Sequence, residues 1–316
     1  MYLIDKEVKE MDFHANWDYR VALDLFLGGV GIGVFLLAAY FSLVFKEKSL
    51  KVTRLGFILA PVLVGLGVFA LLTELGKPFR MLSTFINVNP TSVTSWGGFL
   101  QTIFILLSFV IFLVVWKYKQ NAYQMGLFKG LVIAGSVFAL AVGIYHGLLL
   151  MSLGVAGWAN GLIPVMFLVS SILSGSSVLM VAEAVFMRSI ITKSKDVYSE
   201  TAVSSDAQIF TYSKLLVSLV AIQALLILTW RISLNSAGTE AIIAYQNLIS
   251  HFGVYWWILV ITIGLIIPLA IASYSTMKKI KMNFYTAMAF TAVVLIGSYA
   301  FKHIILYSGQ IPLAGL

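Results

Sequence analysis

The sequence predicts an all-α integral membrane protein that crosses the bilayer eight times. Three observations carry this. Hydrophobic residues fill 60% of the 316 positions and charged residues only 11%, against about 45–50% and about 25% in a soluble domain. Mean hydropathy is +0.97, a surplus that one or two water-soluble cores of this length cannot hide. The apolar residues also fall into eight runs, each close to the roughly 20 residues a helix needs to cross about 30 Å of hydrocarbon. A soluble enzyme, a disordered chain, a nucleic-acid binder and a secreted disulfide scaffold are excluded.

The runs cover 19–45, 54–76, 97–117, 126–152, 161–187, 211–234, 252–277 and 283–308. Polar, charged or turn-forming stretches separate them: KEKSLKVTR after the first, GKPFR…NVNPTSVTSW after the second, NSAGTEAIIAYQN after the sixth. The fourth break, SLGVAGWANG, carries no charge and is placed by its glycines. Of the 21 Lys and Arg residues, the four odd-numbered loops hold fourteen, with seven left for the even loops and the termini. Basic residues accumulate in cytoplasmic loops, so the odd loops are expected inside and both termini outside, on the periplasmic face. The net charge of +8 is thereby read as topology, with no nucleic acid needed to explain it. The N-terminal stretch MYLIDKEVKEMDFHANWDYR is polar and partly acidic, which predicts no cleavable signal peptide. No cysteine is present, so this chain alone supplies no thiol catalysis, no Cys-ligated zinc and no iron–sulfur cluster.

A carboxylate within a span costs roughly 2.5–3.5 kcal/mol on insertion scales and marks function by default. Asp24 lies about a turn inside span 1, Glu74 near the outer end of span 2 and Glu183 in the inner half of span 5. Each has a plainer reading: a helix ion pair of Asp24 with Arg20, an interfacial pairing of Glu74 with Lys77 or Arg80, and of Glu183 with Arg188. Tyr145 and His146 fall in GIYHGLLL of span 4, about 100° apart around the helix, so one pocket receives only one of them. Span 1 carries Gly28, Gly29, Gly31 and Gly33 with no preceding strand, which excludes a dinucleotide loop. Such small residues admit either a second helix or a flat ligand. The SSILSGSS stretch of span 5 (170–177) either packs or carries protons through hydroxyls and water. A haem needs two axial ligands at matching depth. Only His146 and His303 lie within spans, and no haem or other metal site is expected.

Six stretches, in order along the whole chain, resemble the NrfD/polysulfide reductase family of membrane anchors (the PsrC type). They are Trp17 followed by LDLFLGGVGIGVFLLAA (23–39), LLTELGKPFRML (71–82), NVNPTSVTSWGGFL (87–100), GIYHGLLL (143–150), GWANGLIPVMFLVSSILSG (157–175) and FKHIILYSGQ (301–310). The resemblance implies two adjacent four-helix bundles, 1–156 with a quinone site and 157–316 without one. It implies a quinone-reactive anchor, using menaquinone or another quinone, in a bacterial or archaeal cytoplasmic membrane. The implied partners are a periplasmic four-cluster, ferredoxin-like iron–sulfur subunit and a molybdopterin catalytic subunit. Asp24 stands where relatives place a headgroup-contacting His or Tyr. Glu74 and Tyr145 match an acidic and a phenolic position, and Lys302 a basic one where Arg is more familiar.

The two readings meet at the outer rim, where topology gathers Asp24, Glu74 and Tyr145. The quinone site is expected from Asp24, Tyr145 and His146 with Gly28 and Gly31 as the slot. Proton transfer is expected through Glu74, Lys77, Arg80, Glu183 and Lys302, with Lys214 and Arg231 as an extension through the second bundle. The competing class is a secondary transporter or proton channel using the same carboxylates.

Overall fold

The computed structural model describes residues 17–44, 50–74, 92–191, 198–278 and 284–312. Among them it is wholly helical. The elements are α1 (Tyr19–Val44), α2 (Leu50–Glu74), α3 (Val93–Tyr118), α4 (Gly126–Met151), α5 (Leu162–Ile191), α6 (Tyr198–Ser236), α7 (Thr239–Met277) and α8 (Phe284–Ser308). A short 3-10 turn, Lys119–Gln124, joins α3 to α4. Eight helices are long and apolar enough to cross a membrane, as the hydropathy runs predict.

Two boundaries differ from that prediction. α6 begins at Tyr198 and α7 at Thr239, each well ahead of its apolar run. Hydropathy measures the part of a helix that sits in hydrocarbon, and the helix itself continues past it. In the first turns of α7, Ala241, Ala244 and Leu248 are buried at a three- and four-residue spacing, so TEAIIAYQN is an amphipathic helix start where a loop was expected. At 39 residues, α7 is about 58 Å long, far beyond the roughly 30 Å of hydrocarbon. Its middle, Trp256–Ile266, is π-wound. Pro268 follows directly and lacks the N–H that would close the preceding turn, while Thr262 Oγ1 donates to the Trp257 carbonyl at 2.9 Å.

α1 is the interior helix. Of its most apolar window 78% is buried, against 28% for α2 and α3, whose remaining surface is left for lipid. α1 packs on α2, α5, α4 and α8. Phe35 of α1 meets Phe57 of α2 and Phe104 of α3 edge-on at 5.4 and 5.1 Å, and Phe57 meets Phe128 of α4 at 6.2 Å. A second aromatic series joins α5 to α8, α7 and α6 through Phe167, Phe301, Trp256 and Trp230. Lipid tails are as apolar as these side chains, so close packing has to supply the cohesion. The tightest crossing is α1 on α5: a Cβ on Gly33 would fall on the Ser171 carbonyl, and one on Gly175 on the Gly33 backbone.

The start of α1 shares one end of the molecule, the amino rim, with the ends of α2, α4, α6 and α8. Trp17 N–H donates to Gln310 Oε1 (2.7 Å), whose amide returns a bond to the Trp17 carbonyl (3.1 Å). Trp17 stacks on Trp158 at 6.0 Å. Trp158 donates to the Ile305 carbonyl (2.7 Å) and Asn160 to Ser233 Oγ (2.8 Å). The uncharged break between spans 4 and 5 is therefore a clasp between the two ends of the chain.

Gly33→Ala tests the α1–α5 crossing. Overpacking a close contact costs about 1–3 kcal/mol, so the melting temperature of the purified protein is expected to fall by several degrees. Gly65→Ala, with nothing within 4 Å of the added carbon, is expected to leave it unchanged or slightly raised.

Candidate functional site

Five polar side chains from four helices gather below the amino rim. Asp24 sits five residues into α1 and is 5% exposed. The ion pair with Arg20 that its spacing allowed is absent. Arg20 pairs instead with Asp18 at 2.7 Å and donates to the Thr73 carbonyl of α2. That leaves the Asp24 carboxyl turned inward, with Oδ1 unpartnered among the described residues. The Gln101 amide of α3 lies against this carboxyl. Its Nε2 also stands 3.4 Å from His146 Nε2 of α4. His146 is 1% exposed, and its Nδ1 has no partner among the described residues.

Backbone proximity makes this cluster possible. A Cβ on Gly28 would stand 3.0 Å from His146 Cε1 and 3.8 Å from Asp24 Oδ1, and one on Gly67 of α2 3.0 Å from the same oxygen. Tyr145 fills the notch above Gly97, where any Cβ would strike its ring. Its ring lies 6.1 Å from that of His146, so the two adjacent residues diverge by the helical angle yet border one region. The Tyr145 hydroxyl makes no bond to the described residues.

Lys302 of α8 completes the group and is fully buried. Nζ donates to the Leu25 carbonyl of α1 (2.8 Å) and to Ser171 Oγ of α5 (2.9 Å), and it lies 5.7 Å from the Phe167 ring centre. It makes no direct ion pair with Asp24 among the described residues. Neutral-oxygen bonds hold the ammonium, and its field falls on the carboxyl region. Outside the spans, the Arg20 guanidinium holds the Asp18 carboxyl below the usual carboxylate range.

The other predicted residues separate. Gly28 borders the cluster, but Gly31 packs on the α2 backbone at Ala60 and Val64, the helix-contact role its spacing also allowed. Glu74 is half-buried at the rim, where Asp18 and Arg20 are its charged neighbours. Lys77 and Arg80 lie outside the described residues. Glu183 is buried near the far end of α5, twelve residues past Ser171 and so about 18 Å along the axis. Lys214 is exposed, and Arg231 stacks on Tyr245 at 4.0 Å; neither adjoins the cluster. His303 stacks between Tyr299 and Tyr307. Gln101 is the member that the sequence reading missed. A search restricted to ionisable groups passes over a neutral amide, although a polar residue in the middle of GGFLQTIFILL carries a similar warning.

A model of the family described as "Polysulphide reductase, NrfD" matches residues 7–314. The chain belongs to the NrfD/polysulphide reductase family. It is 27% identical to the protein NrfD homolog of Haemophilus influenzae, over 94% of this chain and 95% of that one. To protein NrfD of Escherichia coli it is 25% identical, over 94% and 96%, and to the C subunit of polysulfide reductase of Wolinella succinogenes 24%, over 93% and 94%. Membership supports a membrane-anchor role in an oxidoreductase complex. Several family-like stretches now have physical work assigned: Trp17, Trp158 and the SGQ ending form the rim clasp, and Lys302 bolts α8 to α1 and α5.

Gln101→Leu removes the amide shared by Asp24 and His146. Leaving buried polar groups unsatisfied costs about 1–3 kcal/mol, so a lowered melting temperature is expected, with Gln101→Glu or Gln101→Asn recovering part of the loss.

Proposed function

We propose that this NrfD-family subunit exchanges electrons and protons with menaquinone/menaquinol, or another quinone, at the Asp24–Gln101–His146–Tyr145 cluster. The observation that carries the proposal is the pair of buried, unpartnered atoms, Asp24 Oδ1 and His146 Nδ1, beside a Tyr145 hydroxyl free of bonds to the described residues. Such groups are rare in a dry interior unless something else satisfies them. A quinone ring presents two carbonyl oxygens, and a quinol two hydroxyls, which suits one acceptor-capable and one donor-capable wall.

When bound, the carrier supplies the two-electron chemistry, and each quinol oxidised to quinone releases two electrons and two protons. The residues here bind and orient the ring and receive those protons. Asp24 Oδ1 would accept a hydrogen bond from the bound carrier, and the Tyr145 hydroxyl would offer it a second polar contact. Gln101 fixes the Asp24 and His146 rotamers from behind. Lys302 places a cationic side chain on the same side of the cluster as the carboxyl that receives the proton. Glu74, beside Asp18 and Arg20 at the rim, passes protons outward, together with Lys77 and Arg80. Glu183 is too distant to share this step.

Cysteine-free and without a metal-binding group among its described residues, the chain needs a partner for single electrons. We infer an iron–sulfur subunit of the four-cluster, ferredoxin-like kind, relaying to a molybdopterin catalytic subunit. Both are placed on the amino rim, which we take as the periplasmic face from the loop charges. The two aromatic series support reading the helices as two four-helix bundles, 1–156 and 157–316, with the quinone site in the first.

Tyr145→Phe is expected to lower quinol-dependent turnover about 3–10-fold, the loss of one net hydrogen bond of about 0.5–1.5 kcal/mol, while partner subunits still co-purify. Unchanged quinol kinetics would remove Tyr145 from the site. Glu74→Gln is expected to slow turnover without lowering complex yield, and normal turnover across pH would exclude it as the proton exit.

A further inference from the structure

Between them, α6 and α7 leave two adjoining grooves whose linings share no residue with the cluster. One, of about 290 Å³, is lined near the rim by Arg231, Tyr245, Gln246 and Ser250 among others. The second, of about 270 Å³, shares Arg231 and Tyr245 and runs deeper along Trp230, Trp256, Trp257 and Leu269. Both linings are mainly apolar, Ile242 and Ile249 included, and the polar side chains of Arg231, Gln246 and Ser250 lie in the groove nearer the rim. Arg231 supplies the only charge in either lining. It has no carboxylate within ion-pair distance among the described residues. Asn235 accepts from Nη1 at 2.7 Å, and the guanidinium plane lies 4.0 Å from the Tyr245 ring centre. A fixed cation at membrane-interface depth, without a protein counter-ion, calls for an anion from outside the chain.

Trp230 makes the second point. It is 2% exposed, wedged between Tyr245 (6.2 Å) and Trp256 (5.9 Å), and its Nε1–H has no partner among the described residues. Buried indoles ordinarily find an acceptor. This donor is the residue next to the cation, one position farther from the rim, and lines the same groove. Trp257 and Ile266, more than half exposed, continue the crevice toward the bilayer centre, where acyl chain belongs.

We propose that an anionic glycerophospholipid binds between α6 and α7, its phosphate on Arg231 and one acyl chain in the crevice beside the π-wound segment. The lipid braces the flank of the molecule that carries no part of the quinone cluster.

The test uses the purified complex in nanodiscs of equal phosphatidylglycerol and phosphatidylcholine, with retained lipid read by native mass spectrometry. Wild-type protein is expected to retain phosphatidylglycerol preferentially. One basic residue at the membrane surface contributes ~1 kcal/mol, so Arg231→Gln is expected to lower that preference about fivefold. Arg231→Lys is expected to keep most of it, and Trp257→Ala to weaken retention of both lipids while preserving their ratio. Equal retention of the two lipids by wild type, an unchanged ratio in Arg231→Gln, or displacement of the bound species by a quinone would each overturn the proposal. Failure of Tyr145→Phe to affect quinol kinetics would not touch it.

Discussion

A carboxyl and an ammonium buried in hydrocarbon, neither paired directly with the other, govern the arrangement of the first five helices and the last. Lys302 can stay in the dry interior only because its protons reach the Leu25 carbonyl and Ser171 Oγ. Those two oxygens belong to α1 and α5, so satisfying the ammonium draws three helices to one point. The glycines follow from the same requirement. A Cβ on Gly29 would collide with Lys302 Nζ and Ser171 Oγ, so the position that receives the lysine must carry no side chain. Breaking one partner of such a set leaves a buried charge uncompensated, which costs far more than the set contributes when intact.

Much of the fold was legible because the bilayer imposes a coarse rule on composition. Eight apolar runs gave eight helices, and of Asp24, Glu74 and Tyr145, expected together at one rim, Asp24 and Tyr145 border one region while Glu74 stands beside Asp18 and Arg20. What stayed hidden has physical reasons. The amphipathic start of α7 alternates apolar and polar positions around a helix, and a window average cancels that alternation. The π-wound stretch ends just before Pro268 and sets Gly264 against Gly297 of α8, a long-range contact that no local pattern encodes. Gln101 escaped because its charge is zero. Its importance comes from standing between two groups whose neighbours were known only by helix number.

The choice between competing local readings was also settled at long range. By spacing alone, Arg20 lies one helical turn from Asp24. In space, Asp18 and the Thr73 carbonyl capture the guanidinium first. Helix α1 therefore keeps its cation at the rim and sends its carboxylate inside, a separation that makes Asp24 available to a ligand. Gly31 went the other way. Its nearest atoms belong to Ala60 and Val64 of α2, so the four glycines divide into Gly31 and Gly33, which seat helices, and Gly28 and Gly29, which border the polar cluster.

The hydroxyl stretch of α5 bears on whether the molecule moves protons through its whole depth. In the sequence, SSILSGSS admits a relay as readily as a packing seam. In the structure, Ser171 donates to Phe167 O, Ser174 to Ser170 O and Ser177 to Ser174 O, all at 2.7–2.8 Å. A hydroxyl committed to its own helix's carbonyl offers a lone pair to a neighbour but no free proton, because the carbonyl it bonds cannot pass one on. Ser171 uses that lone pair to receive Lys302, and Ser170 bonds Ser298 of α8 at 2.8 Å. Through Ser170 and Ser171 these side chains lock α5 to α8, while Ser176 Oγ is buried without a partner among the described residues. Of the two readings that the composition of the stretch allowed, the bonds of Ser170 and Ser171 to α8 are those of a packing seam.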